Sequence, residues 1–248
     1  MRYFIFTLTI LCSLTAAAAD MRGINISTGV VYQTGGDSIL GNPGALLGSP
    51  KEIDASYATG GGSNQIDGSF SGSSSSVGYG LGYHTNASTA YGGLGFGSAR
   101  FGIGASAGYN LSASSLGANI GIQYGGSQGF GIGAAVYDIT GGFNTYSIGL
   151  GFRKPGGLQF ELDYVAASTS VDVLGTTVTA STTSIAPGIA FQLGQAVSLM
   201  AGYSALTSNL GGGTFRAGFN AWLGSKFALY FLYKASGYDY TGGLRIKL

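Results

Sequence analysis

Between Lys51 and Leu248 apolar positions alternate with small or polar ones for about ten residues, a turn intervenes, and the alternation resumes. Arg100 to Tyr109 is a clear instance. Phe101, Ile103, Ala105, Ala107 and Tyr109 share one phase, and Gly102, Gly104, Ser106 and Gly108 the other. Successive strand side chains point to opposite faces, so the segment has one greasy face and one small, polar face. Alternating segments of this length between turn residues are how a transmembrane β-barrel looks in sequence. The pattern predicts an all-β fold, an antiparallel barrel of about fourteen strands. They fall near 51–59, 65–71, 77–85, 88–97, 100–110, 115–124, 129–138, 144–153, 157–168, 181–193, 196–206, 213–223, 226–236 and 239–248. Twelve strands is the alternative, because 65–71 alternates weakly.

Connection length orients the barrel. Ser98-Ala99, Lys154-Pro155-Gly156, Gly194-Gln195 and Gly224-Ser225 are tight, whereas His84 to Ala87, Asn110 to Ser114, Ile139 to Phe143 and Thr207 to Gly212 are longer. Short turns belong on the periplasmic side and longer loops outside. Aromatic residues sort the same way. Tyr83, Tyr91, Tyr109, Tyr137, Tyr146, Tyr203, Tyr233 and Tyr240 lie at long-loop ends. Phe96, Phe101, Phe130, Phe152, Phe160, Phe191 and Phe227 lie at short-turn ends, and the two groups read as interfacial girdles. Tyr124, Phe215 and Tyr230 stand outside that sorting.

Composition narrows the choice of solvent. Of 248 residues 45% are hydrophobic and only 8% charged, against about 25% in a soluble domain. Beyond the N-terminus no apolar run approaches the ~18 residues of a spanning helix. Only helices and closed barrels satisfy every backbone group in lipid, which leaves the barrel. Eleven basic and 10 acidic residues give no basic surplus, so nucleic acid is not an expected partner.

Residues 1–19 read as a secretory signal, with Arg2 as the positive region, Tyr3 to Leu14 as the apolar core and Ala17-Ala18-Ala19 before the cut. The only cysteine, Cys12, lies within it, so the mature chain has no disulfide and no thiol chemistry. The expected location is the bacterial outer membrane, with its lipid and the barrel-assembly machinery as partners. Residues 20–50 carry the turn-rich runs Gly35-Gly36-Asp37 and Gly41-Asn42-Pro43-Gly44. They are read as a plug in the lumen or a periplasmic extension, and 51–248 as the barrel.

The inward phase is mostly Gly, Ser and Ala, as at Gly78, Gly80, Gly82, Gly102, Gly104, Gly131, Gly133, Gly149 and Gly151. Strand glycines mark close approach to the backbone. Here they either make room for a plug or ligand, or permit tight curvature. Charges assigned to the lumen are Glu52, Asp54, Arg100, Arg153, Glu161, Asp163, Arg216, Lys226, Arg245 and Lys247. Pairing the first strand with the last sets Glu52 and Asp54 beside Lys247 and Arg245, a register favoured by up to ~1 kcal/mol per pair. A zipped seam is favoured over a selectivity ring.

No enzyme chemistry is expected. His84, the sole histidine, has Ser88 near it in sequence but no acid or second base at useful spacing. One histidine and no mature cysteine build no usual zinc site, and glycines such as Gly102, Gly104 and Gly108 open no helix that would bind phosphate. No cofactor is expected. Asn25-Ile26-Ser27 and Asn86-Ala87-Ser88 match glycosylation sequons, which carry little meaning in an outer membrane.

Two short segments carry resemblances. Thr241, Gly243, Ile246 and Leu248 match the polar, glycine and hydrophobic positions of the C-terminal assembly signal of outer-membrane barrels, with Leu248 in place of the usual final aromatic. Ser38 to Leu46, followed by Lys51-Glu52-Ile53-Asp54, resembles the start of the FadL/TodX family of hydrophobic-compound channels. In that family an Asn-Pro-small-small-Leu motif ends an N-terminal hatch just before the first of fourteen strands. Asn42 and Pro43 take the motif's first two positions here. The resemblance implies a plugged barrel passing fatty acids, aromatics or similar molecules, with lateral exit into the membrane.

The expected function is therefore a passive channel for small, hydrophobic molecules. The alternative is a structural or surface-binding barrel with a closed lumen. Its external hairpin 169–181 would meet a partner, with Val171, Val173, Val178 and Ala180 alternating around Leu174-Gly175.

Overall fold

The computed structural model describes residues 31–32, 36–60, 63–85, 88–98, 100–125, 129–141, 145–154, 157–173, 176–194, 196–235 and 239–248. The leader expected over 1–19, the start of the 20–50 segment, the sequon asparagines and the hairpin tip 174–175 lie outside them. Among the described residues fourteen strands form one closed antiparallel barrel in which each strand pairs with its neighbours in sequence. They are β1 (Glu52–Gly60), β2 (Ser63–Ser73), β3 (Val77–His84), β4 (Thr89–Ser98), β5 (Phe101–Asn110), β6 (Ser115–Tyr124) and β7 (Gly129–Tyr137). The second half comprises β8 (Thr145–Arg153), β9 (Leu158–Val173), β10 (Thr176–Leu193), β11 (Val197–Leu206), β12 (Asn209–Leu223), β13 (Phe227–Lys234) and β14 (Asp239–Lys247).

The period-two pattern decides which face is which. On β5 Gly102, Gly104 and Ser106 are buried inside, while Phe101, Ile103, Ala105, Ala107 and Tyr109 are exposed outside. The same phase puts Ile53, Leu81, Leu94, Ile132, Leu150 and Leu229 on the exterior. An exterior so apolar is stable against hydrocarbon and unstable against water, and full closure leaves no strand edge unpaired within it. The final ladder joins β1 to β14 with Glu52 opposite Lys247 and Asp54 opposite Arg245.

Several details differ from the sequence expectation. The second strand is longer than 65–71, because Ser63-Asn64 and Gly72-Ser73 also join the ladders. The hairpin expected over 169–181 is present as a continuation of the ladder, with Thr169 paired to Ala180 and Val173 to Thr176, so the two strands run on past the ends expected at 168 and 181. Similarly, β12 begins at Asn209, which pairs with Leu206 across a register shift, rather than at 213. Between β6 and β7 regular pairing covers only Ile120 to Tyr124. Beyond it, Asn119 Oδ1 accepts from the Asp138 amide at 3.0 Å and Thr140 Oγ1 donates to the Leu116 carbonyl at 2.6 Å.

Two tyrosines leave the girdle. Tyr91 and Tyr137 share the inward phase of Gly93 and Gly95 and of Gly131 and Gly133, and Tyr91 is buried in the lumen. Strand phase outranks position along the strand.

Candidate functional site: a plugged lumen

Inside the barrel lie a short helix, α1 (Gly36–Leu40), and a 3-10 turn (Pro43–Gly48). Asn42 links them and is fully buried. Its extended backbone caps the turn, with Oδ1 accepting from the Gly44 amide at 3.0 Å, and Pro43 follows at the first turn position. The other end of the same side chain reaches the wall, where Nδ2 donates to the Ile122 carbonyl of β6 at 3.0 Å. One amide group therefore both shapes the plug and ties it to the barrel.

The inward glycines explain how the plug fits. A methyl group placed on Gly104 would meet the Pro43 carbonyl oxygen at 2.3 Å, and one on Gly102 the Gly44 carbonyl oxygen at 2.2 Å. At Gly78 it would meet the Leu46 carbonyl carbon at 2.3 Å, and at Gly121 the Asn42 Oδ1 at 2.1 Å. Approach this close, to backbone at Gly78, Gly102 and Gly104 and to the Asn42 side chain at Gly121, is possible only without Cβ atoms. Of the two readings of these glycines, room for an enclosed segment is the one realised. Ile39, Leu46 and Tyr91 form a small apolar core between plug and wall.

A second anchor holds the preceding segment. The Val31 amide donates to Glu161 Oε1 at 2.8 Å, Gln123 Nε2 donates to the Val31 carbonyl, and Tyr32 Oη donates to the Gly129 carbonyl at 2.8 Å. The Arg153 guanidinium lies 4.9 Å from the centre of the Tyr32 ring, with its Nε donating to Gln159 Oε1 at 2.9 Å. Burial pushes the Tyr32 hydroxyl up to about 12, so it remains a neutral donor. Asn119 Nδ2 adds a bond to the Leu40 carbonyl at 3.3 Å.

The charged residues assigned to the lumen fall into separate groups. Glu161, Asp163 and Arg153 are buried beside the second anchor. Glu52, Asp54 and Arg245 form a seam cluster: Arg245 Nη2 binds Asp54 Oδ2 at 2.8 Å, its Nε lies 3.6 Å from Glu52 Oε1, and Tyr230 donates to Asp54 Oδ1 at 2.8 Å. Lys247 places its ammonium 3.9 Å from the centre of the Trp222 ring. Arg216 faces the long-loop half of the lumen, whereas Arg100 and Lys226 are exposed on turns at the opposite rim.

Asp37, on α1, is accessible to solvent and lies within electrostatic reach of the seam residues Asp54, Glu52 and Arg245. Enclosure by the barrel and the nearby Asp54 and Glu52 carboxylates push its carboxyl up, and Arg245 and His84 oppose them.

The long-loop mouth holds a cavity of roughly 550 Å³ between β1–β2 and β12–β14. Asp67 meets His84 Nδ1 at 2.6 Å, the His84 ring stacks on Tyr91 at 4.7 Å, and Lys234 faces Asp239 at 3.7 Å. None of the mouth acids was singled out from the sequence, although Asp67 shares the inward phase of Gln65. The plug anchors Asn119 and Gln123 were equally legible as polar residues on the inward phase of β6.

Of the assembly-signal residues, Thr241 lines this cavity and Gly243 lies beneath the Tyr230 ring, where a Cβ would meet Cζ at 2.2 Å. Ile246 pairs with Ile53 and Phe227, and Leu248 is exposed at the chain end.

No protein-family model matches the chain, and no curated protein matches it in sequence. Solved structures do share its fold. The CymD monoaromatic hydrocarbon channel is similar at a TM-score of 0.62 and 10% identity, over 95% of this chain and 98% of that one. The Pseudomonas putida toluene transporter TodX is similar at a TM-score of 0.61 and 11% identity, over 93% and 98%. At such identities the likeness is one of architecture: a closed barrel of this size.

Proposed function

We propose that this chain is a passive channel of the bacterial outer membrane for small molecules, closed at rest by its own N-terminal segment. The observation that carries the reading is the seating of residues 36–49 against a glycine wall inside a barrel with an apolar exterior. A merely structural barrel has no need of a wall stripped of side chains. A segment seated by two polar anchors and a small apolar core can leave without unfolding the strands. The C-terminal strand, with Ile246 in it and Leu248 just after it, supplies the signal for the assembly machinery.

The hydrophobic substrate class implied by the family resemblance has its support in the fold shared with a hydrocarbon channel and a toluene transporter. The mouth cavity does not add to it, because among the described residues that line it only Ala58 and Leu232 have apolar side chains. Liposome swelling tests the general reading. Proteoliposomes of the mature chain should swell slowly in small solutes, and markedly faster when Asn42 is replaced by alanine. Equal rates for both proteins, at matched insertion, would refute a plug-gated channel.

The second reading, a surface-binding barrel, draws on one feature. At 16 and 18 residues, β9 and β10 are the longest strands of the barrel among the described residues, and their hairpin runs past the rim. Trimming 169–181 should then abolish attachment to a partner while permeability stays unchanged.

A further inference from the structure

We propose that the short-turn rim of the barrel is a docking surface for the headgroups of anionic phospholipids in the periplasm-facing leaflet. Four cations stand exposed there: Lys51 before β1, Arg100 before β5, Lys154 after β8 and Lys226 before β13. None of the four has an ion-pair partner among the described residues. The turns of that rim, 74–76, 99–100, 125–128, 154–157, 194–196 and 224–226, contain no aspartate or glutamate. The acids nearest the rim are buried: Glu52 lies 3.6 Å from Arg245, and Glu161 accepts from the Val31 amide. A carboxylate at Leu248, whose amide donates to the Lys51 carbonyl, would offset Lys51 in part and leave three cations unopposed. At the long-loop rim this excess is missing, with Asp138 exposed and Lys234 matched by Asp239.

Depth and direction point to lipid as the partner. Phe96, Phe101, Phe130, Phe160, Phe191 and Phe227 are exposed at the same end, forming the girdle where hydrocarbon gives way to headgroups. Arg100 directly precedes Phe101, Lys226 directly precedes Phe227, and Lys154 follows Phe152 by two residues. At about 3.4 Å per residue these charges stand within about 7 Å of the girdle, inside a headgroup layer about 5–7 Å deep. Lys51 and Lys154 also keep the outward phase of Ile53 and Leu150, and long aliphatic stems let such side chains lie along an apolar wall. Around the closed wall the four cations occupy strands 1, 5, 8 and 13 of the fourteen, so no two are closer than two strands, about 10 Å. A protein docking sideways would meet one or two of them, whereas a ring of lipid surrounds the barrel and meets all four. Separation beyond a Debye length of about 8 Å keeps their mutual repulsion small, so each cation acts on its own lipid. The proposal rests on the outer-membrane reading above and is independent of conduction.

Electron spin resonance of spin-labelled lipids tests this, with the chain from Asp20 onward inserted in phosphatidylcholine vesicles at low salt. Labelled phosphatidylglycerol should be motionally restricted at the barrel in preference to labelled phosphatidylcholine. Each cation favours an anionic lipid about fivefold, which averages to about twofold over the whole ring of contacting lipid. Arg100→Gln, Lys154→Gln and Lys226→Gln together should bring the ratio close to one, as should about 1 M salt with the parent. Lys234→Gln, at the opposite rim, should leave the ratio as it is. Heat-modifiable gel mobility establishes that each variant is folded. Should the triple variant fail to fold, each single replacement should lower the ratio part of the way, and no change in any of them would overturn the proposal. A parent ratio near one, or an unchanged ratio in the triple variant, would equally overturn it. A ratio near one together with salt-sensitive sedimentation on cell-wall sacculi would overturn it in favour of an acidic polymer docked end-on. Absence of any restricted lipid would overturn the membrane barrel as well.

Discussion

Replacing Gly104 with alanine adds one methyl group to the wall beneath the plug. It would stand 2.3 Å from the Pro43 carbonyl oxygen, 2.4 Å from the Pro43 carbonyl carbon and 2.8 Å from the Gly44 nitrogen. Ordinary contact begins at 3.4 Å, so the turn must retreat by about 1 Å (3.4 less 2.3). All three atoms are backbone, held in place by the Asn42 cap and its bond to Ile122, so no side chain can swing aside. Overpacking of this kind costs about 1–3 kcal/mol, and stretching the Asn42–Ile122 bond adds about 1 kcal/mol. A total of about 2–4 kcal/mol raises the undocked population about thirty- to seven-hundredfold. Amide hydrogen exchange reads this directly at Ala45 and Ser49, whose amides bond within the turn to Asn42 and Leu46. Protection there should fall by that factor, while strand amides and heat-modifiable mobility stay as in the parent. Gly242→Ala is the control, because its nearest atom, the Tyr230 carbonyl oxygen, lies 3.9 Å away. Unchanged protection of the turn in Gly104→Ala would refute the seating of the plug on this wall.

Three further outcomes are expected. Asn42→Ala removes both the cap and the tie to β6 and should loosen the plug by about 1–3 kcal/mol, seen as faster proteolysis of the N-terminal segment from an intact barrel. Arg245→Met leaves the Glu52 and Asp54 carboxylates together in a nearly closed site and should cost about 3–5 kcal/mol in urea unfolding; a loss below about 1 kcal/mol would show that the seam is hydrated. Asp37 gives plug docking a pH dependence. Its carboxyl is raised in the folded state from an ordinary 3.8, so it favours docking most fully below about pH 4 and progressively less as pH rises toward 7, where the charge forms among other carboxylates. Proteolysis of the plug should therefore be faster at pH 8 than at pH 5, and Asp37→Asn should abolish the difference.

Strands and phase were legible because a barrel wall imposes period two on every segment, and Phe101 to Tyr109 has no other way to separate its faces. The seam was legible for a related reason: closure forces the first strand onto the last, and the charges of β1 and β14 then have one matching register. Tyr91 and Tyr137 were misassigned because a girdle is read from height along a strand, whereas facing is set by parity. The plug was half legible. Its motif and the glycine wall are both visible in the chain, but their contact is a fact of three dimensions, with Pro43 and Gly104 sixty-one residues apart. The mouth cavity was not legible at all. Residues of β1, β2, β12, β13 and β14 become neighbours only when the barrel shuts.

Planar-bilayer conductance of the chain from Asp20 onward beside a variant lacking residues 21–50 bears most directly on the account. The full chain should be silent or nearly so, and the deletion should conduct in steady steps. Steady conductance from the full chain would mean an open pore that the plug does not close, and silence from both, with insertion established, would mean a barrel that is no channel.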